Sequence, residues 1–403
     1  MKTLLLLGAG QEQSIAIHEA RALGYRVVAC DGNPSAPGLA LADVGQVCDI
    51  RDLSQLLPIA RAQGIAGVFC HAVEIPEVVA GLARELGLPG LAPEVAHRCT
   101  NKHARIEALT RAGIPVARFA SVRSEAELLD VGRSFGFPLV LKPVDNAGSR
   151  GVRRVDTETD LALAYAEAMQ YTSDPEVLVE QLLNGPQIST ESVVHRGQVH
   201  TFAFADRNYE AEAFYAPYFI ENGINFPSCL SAADQHAVRS LVDRTIEALG
   251  IDFGAAKGDL IIHEGRPHII EMACRTSGGW FGAGSIPKAT GVNALKPLLQ
   301  MAAGDTPDLT ALTPKYELGC AQRYWIPKST RVFKRAGGFE QVRAMAGVQM
   351  FNDFFPAPGT VLEKAHHHAQ RHAQVICTAP TREEAMARAE AAIAAIDVEF
   401  DPT

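Results

Sequence analysis

Apolar runs alternate with amphipathic stretches over the first hundred residues of the chain. Between two such runs, residues 14–23 carry apolar side chains every three or four positions, which predicts a helix. Mostly apolar strands that alternate with helices are typical of a parallel sheet with helices on both faces. The pattern therefore predicts a doubly wound α/β domain over residues 1–98. Its predicted strands are 3–7, 25–30, 46–48 and 67–70.

After residue 98 the pattern changes to shorter strands and helices with capping signals. Ser124 and Thr157 each stand three residues before an acidic residue, which is typical of a helix start. We predict an α+β domain over 99–305, with a small lid unit at about 115–183, and a C-terminal α/β unit over 306–403. The predicted strands are 115–119, 137–141, 151–155, 177–180, 188–194, 199–205, 254–262, 268–273 and 375–378. The predicted helices are 101–112, the stretch from Ser231 to Gly250, and the stretch that Thr381 begins.

Composition narrows the class of protein. A chain of 403 residues, 47% of them hydrophobic, is typical of a globular protein with several domains. Its net charge of −9 argues against the basic surface that nucleic-acid binding requires. Eight scattered cysteines without a C-x-x-C pair predict reduced thiols and a cytoplasmic location. We expect neither a signal peptide nor a membrane span.

One strand ends at Lys142, and a loop of small residues follows it. Ala147, Gly148, Ser149 and Gly151 leave backbone N–H groups open to an anion, because little side chain stands in the way. A lysine beside such a loop can clamp a polyphosphate. Taken alone, an ordinary hairpin with a solvated lysine fits the segment equally well.

Two further segments provide other parts of a nucleotide site. Lys102 begins the helix before the lid unit and is a second candidate phosphate cation, or a solvated surface lysine. Glu180 and the backbone at Leu182 stand at a strand end, where an acceptor and a donor can recognise a purine edge. By itself, Glu180 would be a charge on a strand edge.

A pair of carboxylates follows on two adjacent strands. Asp259 and Glu271 are expected to point to the same face of one hairpin, where hard oxygen ligands suit Mg²⁺. Arg275 comes next and can neutralise charge as a phosphoryl group moves. Gly278 and Gly279 allow backbone donors to reach a developing oxyanion. The alternative is a salt bridge between Arg275 and one of the carboxylates.

Taken in this order, the segments resemble the ATP-grasp enzymes over about residues 1–305. The resemblance implies an ATP-grasp fold, with an N-terminal domain that binds no dinucleotide, a lid and a C-terminal subdomain. The most similar subgroup is the carboxylate–amine ligases, which include amino-acid ligases and purine-pathway synthetases. The motifs are Leu141-Lys142-Pro143 with its glycine loop, Val179-Glu180 before Gly185-Pro186, Asp259, Ile270-Glu271-Met-Ala-Cys-Arg275, and the segment 286–293.

The resemblance also implies roles for individual residues. Lys102, Lys142 and the 147–151 loop would bind ATP phosphates, and Glu180 with Leu182 would read adenine. Asp259 and Glu271 would bind Mg²⁺, with Mn²⁺ as an alternative, and Arg275 would stabilise the transferred phosphoryl group and the acyl phosphate. We therefore expect Arg275, Lys142 and, from the oxyanion role argued above, Gly279 to be catalytic.

The sequence departs from the family pattern at two positions. Ala273 stands where the family has an Asn metal ligand, so Glu191 is a candidate to compensate. Gln187 stands where a carboxylate commonly binds ribose, and its amide can still hydrogen-bond a hydroxyl.

Residues 202–226 hold eight aromatic side chains, which predicts a loop that covers the substrate and excludes water, or a local hydrophobic cluster. The histidines at 366–368 and 372 are predicted to be non-functional. The candidate substrate contacts are His71, Glu74, Glu191, Tyr215, Tyr218, Arg275, Ser277 and Gly278.

The sequence thus predicts an ATP- and Mg²⁺-dependent ligase that activates a small carboxylate as an acyl phosphate and couples it to an amine. We expect a monomer or a homodimer. Two alternatives stay open: a nucleotide-binding protein with impaired catalysis, and a carboxylase- or carbamoyl-type enzyme that uses bicarbonate.

Overall fold

The computed structural model describes residues 1–402. The strands within this range are β1 Thr3–Leu7, β2 Arg26–Asp31, β3 Val44–Val47, β4 Gly67–Cys70, β5 Phe119–Val122, β6 Leu139–Pro143, β7 Arg153–Val155, β8 Val177–Gln181, β9 Gln187–His195, β10 Gln198–Asn208, β11 Gly223–Phe226, β12 Phe253–His263, β13 Arg266–Ala273, β14 Gly319–Trp325, β15 Arg331–Gly337, β16 Val348–Asp353, β17 Val361–Leu362, β18 Ala373–Ala379 and β19 Asp397–Phe400. The α-helices are α1 Ser14–Ala22, α2 Pro37–Leu41, α3 Leu53–Gln63, α4 Pro76–Leu86, α5 Pro93–Thr100, α6 Lys102–Arg111, α7 Glu125–Phe135, α8 Leu161–Met169, α9 Glu212–Tyr215, α10 Ala232–Leu249, α11 Ile286–Thr290, α12 Leu295–Ala302, α13 Phe339–Ala344 and α14 Arg382–Ala394. Single turns of other helix types lie at Glu158–Asp160, Phe281–Ser285, Leu309–Leu312 and His368–Gln370.

The N-terminal sheet is parallel, in the order β3-β2-β1-β4. Its central strand β1 is buried along its whole length, and alternate leucines serve two different cores. Leu4 and Leu6 pack with α1 and with α12, which returns from far along the chain, whereas Leu5 and Leu7 pack against α3 and α4. Helices therefore cover both faces, and the predicted doubly wound sheet is confirmed.

The lid unit is a four-stranded antiparallel sheet in the order β5-β8-β6-β7, packed against α7 and α8. The predicted hairpin is present, since Leu139 pairs with Val155 across β6 and β7. Ser124 caps α7, as predicted, by accepting the Glu127 N–H.

One local prediction in the lid unit was wrong. The strand predicted at 115–119 begins only at Phe119, and Val116 instead makes a single bridge to Ile269 beside the central sheet. The helix start predicted at Thr157 is present, since a 3₁₀ turn at Glu158–Asp160 follows Thr157 and leads directly into α8. The hydroxyl of Thr157 bonds the side chains of Thr159 and Asp160 rather than a backbone N–H.

The largest sheet has eight strands, in the order β13-β12-β9-β10-β11-β14-β18-β16, and every pairing in it is antiparallel. Strands β14, β16 and β18 come from residues after 305, so the sheet continues across the domain boundary predicted there. The division into domains at 98 and 305 stays a prediction. No helix within residues 1–402 is both long enough and apolar enough to cross a membrane.

Candidate active site

A cavity of about 410 Å³ lies where the N-terminal domain, the lid unit and the eight-stranded sheet meet. Each of these parts contributes to its wall. Of the predicted site residues, the cavity is lined by Glu74, Lys102, Lys142, Ala147, Gly148, Ser149, Glu180, Leu182, Gln187, Asp259, Glu271, Arg275, Ser277, Gly278 and Gly279. The other five, His71, Gly151, Glu191, Tyr215 and Tyr218, are not among the lining residues.

The loop after Lys142 presents its backbone to one end of the cavity. Gly148 and Ser149 both have left-handed backbone conformations, with φ of 69° and 59°. Successive residues of this kind turn N–H groups toward a common point, which suits an anion. Gly151 lies outside the cavity. Its φ is 70°, and a Cβ at this position would lie 3.0 Å from Pro143, so the turn of the loop favours glycine here.

Lys102 faces the same end of the cavity from the first turn of α6. Asn101 caps this helix by accepting the Ala104 N–H at 2.9 Å, and the Lys102 N–H donates to Val144 at 3.0 Å. The Lys102 ammonium donates to the carbonyl of Asn146, directly before the loop. Burial lowers the pKa of Lys102 to about 8, so its charge can be lost in mildly alkaline solution. A cation, a helix N-terminus and a nest of N–H groups thus converge.

Lys142 and Glu180 form an ion pair, with Nζ and Oε2 2.5 Å apart. They project from neighbouring strands, since β6 pairs with β8 in the lid sheet. Both line the cavity next to Leu182. From the sequence, Lys142 and Glu180 were predicted to make separate contacts with the nucleotide. In the structure the two side chains are joined in an ion pair.

Asp259 and Glu271 stand directly opposite each other on β12 and β13, and both line the cavity. The Asp259 carboxylate accepts a hydrogen bond from Ser189 at 2.6 Å and forms ion pairs with Lys257 and with Arg207, the latter at 2.6 Å. Burial of Asp259 acts to raise its pKa, but Arg207 and Lys257 outweigh that effect and hold the pKa below its usual value. Cationic neighbours, chiefly Arg105, likewise hold the pKa of Glu271 well below the ordinary range.

These oxygen ligands fit a Mg²⁺ ion that shares its coordination with phosphates. Residues 1–402 contain no cluster of three or more His, Cys, Asp or Glu side chains that could hold a metal alone. Asp259 and Glu271 offer hard oxygens from rigid strands, and Mg²⁺ usually completes its octahedron with waters and substrate oxygens. The donor set therefore suits a cation that arrives together with a nucleotide.

Glu191 does not replace the missing ligand at Ala273. Its side chain is buried outside the cavity and accepts the Ser277 N–H at 2.7 Å. Burial raises the pKa of Glu191 to about 7, although the bonds from Ser277 oppose that rise. The carboxylate holds the segment after Arg275 in place.

Arg275 lines the cavity and forms an ion pair with Glu74 of the N-terminal domain. Its Nη1 also donates to the Thr276 carbonyl at 3.1 Å. The salt bridge considered from the sequence is thus present, but with a different partner from Asp259 or Glu271. Glu74 and Glu271 raise the pKa of Arg275 further, so the guanidinium stays charged.

The Gly279 peptide is already fully engaged, so the oxyanion role predicted for its N–H is not supported. That N–H donates to Glu12 at 3.2 Å, and the Trp280 N–H donates to the same carboxylate at 2.6 Å. The Gly279 carbonyl accepts from Gln322 at 2.6 Å and from Gln374 at 2.7 Å. The loop is therefore held between the N-terminal domain and the C-terminal strands.

His71 supports this loop from behind. Its Nδ1 lies 2.9 Å from the Thr276 hydroxyl, and its Nε2 has no hydrogen-bond partner within residues 1–402. Burial lowers the pKa of His71 to about 4, so the ring is neutral. Its substrate contact stays a prediction, with Thr276 as the neighbour it touches.

The predicted aromatic substrate loop is largely folded into secondary structure. Tyr215 ends α9 and is 2% exposed, with its hydroxyl 3.4 Å from the carbonyl of Ile326. Tyr218 donates to Glu167 of the lid unit. Neither tyrosine lines the cavity, because packing between subdomains turns them away, so the contacts predicted for them are not supported.

Several cavity residues were missed by sequence reasoning. Lys257 stands two positions before Asp259 on one strand face, so period-two alternation could have found it. His368 was set aside as non-functional, yet it lines the cavity, and its N–H donates to the Gly148 carbonyl at 3.0 Å. Other polar lining residues carry no local signal: Arg105, Arg207, Glu221, Tyr324 and Arg371. Tyr209 and Phe219 also line the cavity, and both belong to the aromatic segment that the sequence predicted to cover the substrate.

Comparisons with known proteins find families similar to two parts of the chain. A family model described as "D-ala D-ala ligase C-terminus" matches residues 108–281, and one described as "L-amino acid ligase C-terminal domain 2" matches residues 323–401. The chain is 27% identical over 352 residues to the uncharacterized protein y4rH of Sinorhizobium fredii, covering 85% of this chain and 70% of that protein.

A characterised relative and a solved structure are also similar. The D-alanine–D-alanine ligase of Pseudomonas fluorescens is 32% identical over 146 residues, which cover 34% of this chain and 42% of that enzyme. The crystal structure of an L-amino acid ligase from Bacillus licheniformis superposes with a TM-score of 0.85 at 21% identity, covering 100% of this chain and 99% of that one. At this identity the structural likeness shows the fold.

Proposed function

The chain belongs to the ATP-grasp superfamily, and on that premise we propose that it is an ATP- and Mg²⁺-dependent carboxylate–amine ligase. One observation carries the proposal: a single cavity holds the loop with Lys102, the facing carboxylates Asp259 and Glu271, and Arg275. A polyphosphate, a divalent cation and a reacting carboxylate would each find the groups they require there.

The reaction would proceed in two displacements. An oxygen of the substrate carboxylate attacks the γ-phosphorus of ATP, the bond from that phosphorus to the β-bridging oxygen breaks, and ADP forms. The amine nitrogen then attacks the acyl carbon, the bond to phosphate breaks, and the nitrogen loses a proton to give the amide. Neither step needs a covalent bond to the protein, so catalysis consists of positioning and charge compensation.

The chain's own residues would divide this work. Lys102 and the N–H groups of Gly148 and Ser149 would hold the phosphates, and the Lys142–Glu180 pair would contact the nucleotide beside them. Arg275 would offset negative charge on the moving phosphoryl group. A Mg²⁺ ion held by Asp259 and Glu271 would supply further compensation for the phosphate charge.

The partners that we propose are small molecules: one carboxylate and one amine. The cytoplasmic location predicted from the sequence is supported by the eight free cysteines, all within the described residues. The expected oligomeric state, a monomer or a homodimer, stays a prediction.

A screen for ADP release tests the proposal. Purified protein with ATP and Mg²⁺ would be given pairs of amino acids and small carboxylates, with mass detection of the product. We expect ADP release that depends on a substrate pair and yields a condensed product. Asp259→Asn would serve as the inactive control.

The screen also separates the alternatives. Ala273, which lacks a ligand atom, favours the reading as a nucleotide-binding protein with impaired catalysis. Binding of a non-hydrolysable ATP analogue without turnover on any pair would support that reading and contradict ours. An absolute requirement for bicarbonate would point to a carboxylase-type enzyme instead.

A further inference from the structure

Lys257 stands directly opposite Ala273, where β12 pairs with β13. Asp259 and Glu271 form the next opposed pair on the same face of the two strands. Met272 packs into the core from the other face, so the side chain at position 273 points to the same side as that of Glu271. Ala273 offers only a methyl group there, is buried, and is not among the residues that line the cavity. A lysine therefore neighbours the position at which a metal ligand is missing.

The carboxylate of Asp259 has room for one further cation. Its Oδ2 accepts from the Lys257 ammonium and lies 2.6 Å from Nη1 of Arg207, while its Oδ1 accepts from Ser189 at 2.6 Å. A carboxylate offers about four lone-pair sites, so these three contacts leave one of them open. Asp259 can then bind one metal ion but cannot bridge two.

Glu271 is the more open carboxylate, since its one ion-pair partner within residues 1–402 is Arg105, 3.5 Å away. A second ion beside Glu271 would need a further protein oxygen, and Ala273 does not supply one. The other nearby carboxylate, Glu191, stands on the far side of Lys257 in β9 and is bonded to the Ser277 N–H at 2.7 Å. The oxygens that face the cavity thus fit one Mg²⁺ ion, completed by waters and phosphate oxygens.

Lys257 is suited to the charge role that a second ion would have. An ammonium is a compact positive charge with three N–H donors, and Asp259 takes one of them. Because Lys257 lines the cavity, the other donors are open to phosphate oxygens, which lysine binds as a point charge.

We propose that this site takes up a single Mg²⁺ ion with each nucleotide, and that the Lys257 ammonium occupies the place of a second ion and contacts the phosphates directly. The inference rests on the proposed function, because it requires a nucleotide and Mg²⁺ in this cavity. It adds the number of metal ions and a role for a residue that has no counterpart among the predicted site residues.

The test counts metal ions in the complex with a non-hydrolysable ATP analogue. Mn²⁺ is the probe, since it binds to the same hard oxygen ligands as Mg²⁺ and has an EPR signal. Protein and analogue would be mixed in equal amounts, well above their dissociation constant, and titrated with Mn²⁺; the same titration without protein measures binding to the analogue alone. We expect about one bound Mn²⁺ per complex, without the spin coupling that two ions about 4 Å apart would show.

Substitutions at the opposed pair test the place of the lysine. Ala273→Asn should keep the count at one, because Lys257 is still present, whereas Ala273→Asn combined with Lys257→Met should raise it to about two. Lys257→Met alone should weaken binding of the analogue about 10- to 100-fold by calorimetry, and Lys257→Arg, which keeps the charge, should retain most of the affinity. Lys328→Met, which removes an exposed lysine outside the cavity, is the matched control, and melting temperatures check that each variant is folded.

Four results would overturn the inference: two Mn²⁺ ions in the wild-type complex, two in Ala273→Asn, one in the folded double variant, or unchanged affinity for the analogue in Lys257→Met. If the double variant does not fold, the wild-type count and the affinity of Lys257→Met decide the matter. In each of the four cases the analogue still binds with its metal, so the proposed function stands. If the wild type binds no analogue with either Mn²⁺ or Mg²⁺, the proposed function fails and this inference fails with it.

Discussion

Glu12 is a half-buried residue whose replacement by glutamine should have opposite effects on stability and on activity. It accepts the N–H groups of Gly279 and Trp280 and so holds the loop that follows Arg275. Burial raises its pKa from 4.5 to about 7, against the opposing effect of those two hydrogen bonds. Ionisation of Glu12 in the folded protein therefore lowers the free energy of unfolding.

The magnitude follows from proton linkage. Between pH 4.5 and about 7 the native protein keeps a proton on Glu12 that the unfolded chain has lost, so wild-type stability falls as the pH rises through this window. At about 1.4 kcal/mol for each tenfold change in protonation, the rise in the pKa of Glu12 from 4.5 to about 7 corresponds to at most ~3–4 kcal/mol. Glutamine is neutral throughout and does not lose this stability.

Thermal unfolding of the wild type and Glu12→Gln at pH 5 and at pH 8 measures the effect. We expect the melting temperature of the variant, relative to the wild type, to rise by several degrees between the two pH values. Over the same interval kcat/KM should be lower in the variant, because its NH₂ group faces a peptide N–H and leaves that donor unpaired. Glu85→Gln, at an exposed position of α4, is the matched control and should show neither change.

A relative melting temperature that stays constant or falls with pH would refute the assigned protonation of Glu12. Wild-type activity in the variant at pH 8 would refute its role in holding the loop. Because the two readouts have opposite signs, general damage to the fold cannot produce the expected pattern.

Three further predictions concern the nucleotide, the metal and the packing. Lys102→Met should weaken binding of an ATP analogue, measured by calorimetry, about 10- to 100-fold. The affinity of the wild type for the analogue should also fall as the pH rises above about 8, where the Lys102 ammonium loses its proton. An unchanged affinity in the variant would contradict the role of Lys102 as a phosphate cation. Asp259→Asn should lower Mg²⁺-dependent turnover more than about 100-fold while Mg²⁺-free analogue binding persists, and equal loss of both would argue against a metal ligand. Gly67→Ala should lower the free energy of unfolding by about 3 kcal/mol or more, because the new Cβ would lie 1.9 Å from the carbonyl oxygen of Ala302. Gly32→Ala, where the nearest atom to the new Cβ is 3.8 Å away, should leave the free energy of unfolding nearly unchanged in the same denaturant titration. Equal effects of the two substitutions would contradict the packing argument.

Features that depend on short stretches of chain were predictable. Strands β1 and β4 occupy the predicted residues, because a continuous apolar run is itself the signal of a buried strand. Asp259 and Glu271 do face each other as expected, but the register of the turn alone would not pair them: it runs from His263↔Arg266 to Leu260↔Ile269, and a bulge between Asp259 and Leu260 then shifts the pairing by one residue.

Predictions failed where a local pattern has several tertiary outcomes. The aromatic density at 202–226 indicated buried surface but not what it would pack against, and Tyr215 and Tyr218 serve contacts between subdomains. The histidines at 366–368 looked like a polar connection, yet folding brings His368 against the phosphate loop, 220 positions earlier in the chain.

The sequence by itself determined the parallel N-terminal sheet and the glycine loop after Lys142, because each depends on the chemistry and periodicity of neighbouring residues. Only the tertiary structure decided how these parts are held and charged. Glu12 reaches a loop 267 residues away, and Arg275 pairs with Glu74 of another domain. Such contacts leave no periodic trace in the chain, since they depend on which surfaces meet once the domains pack together.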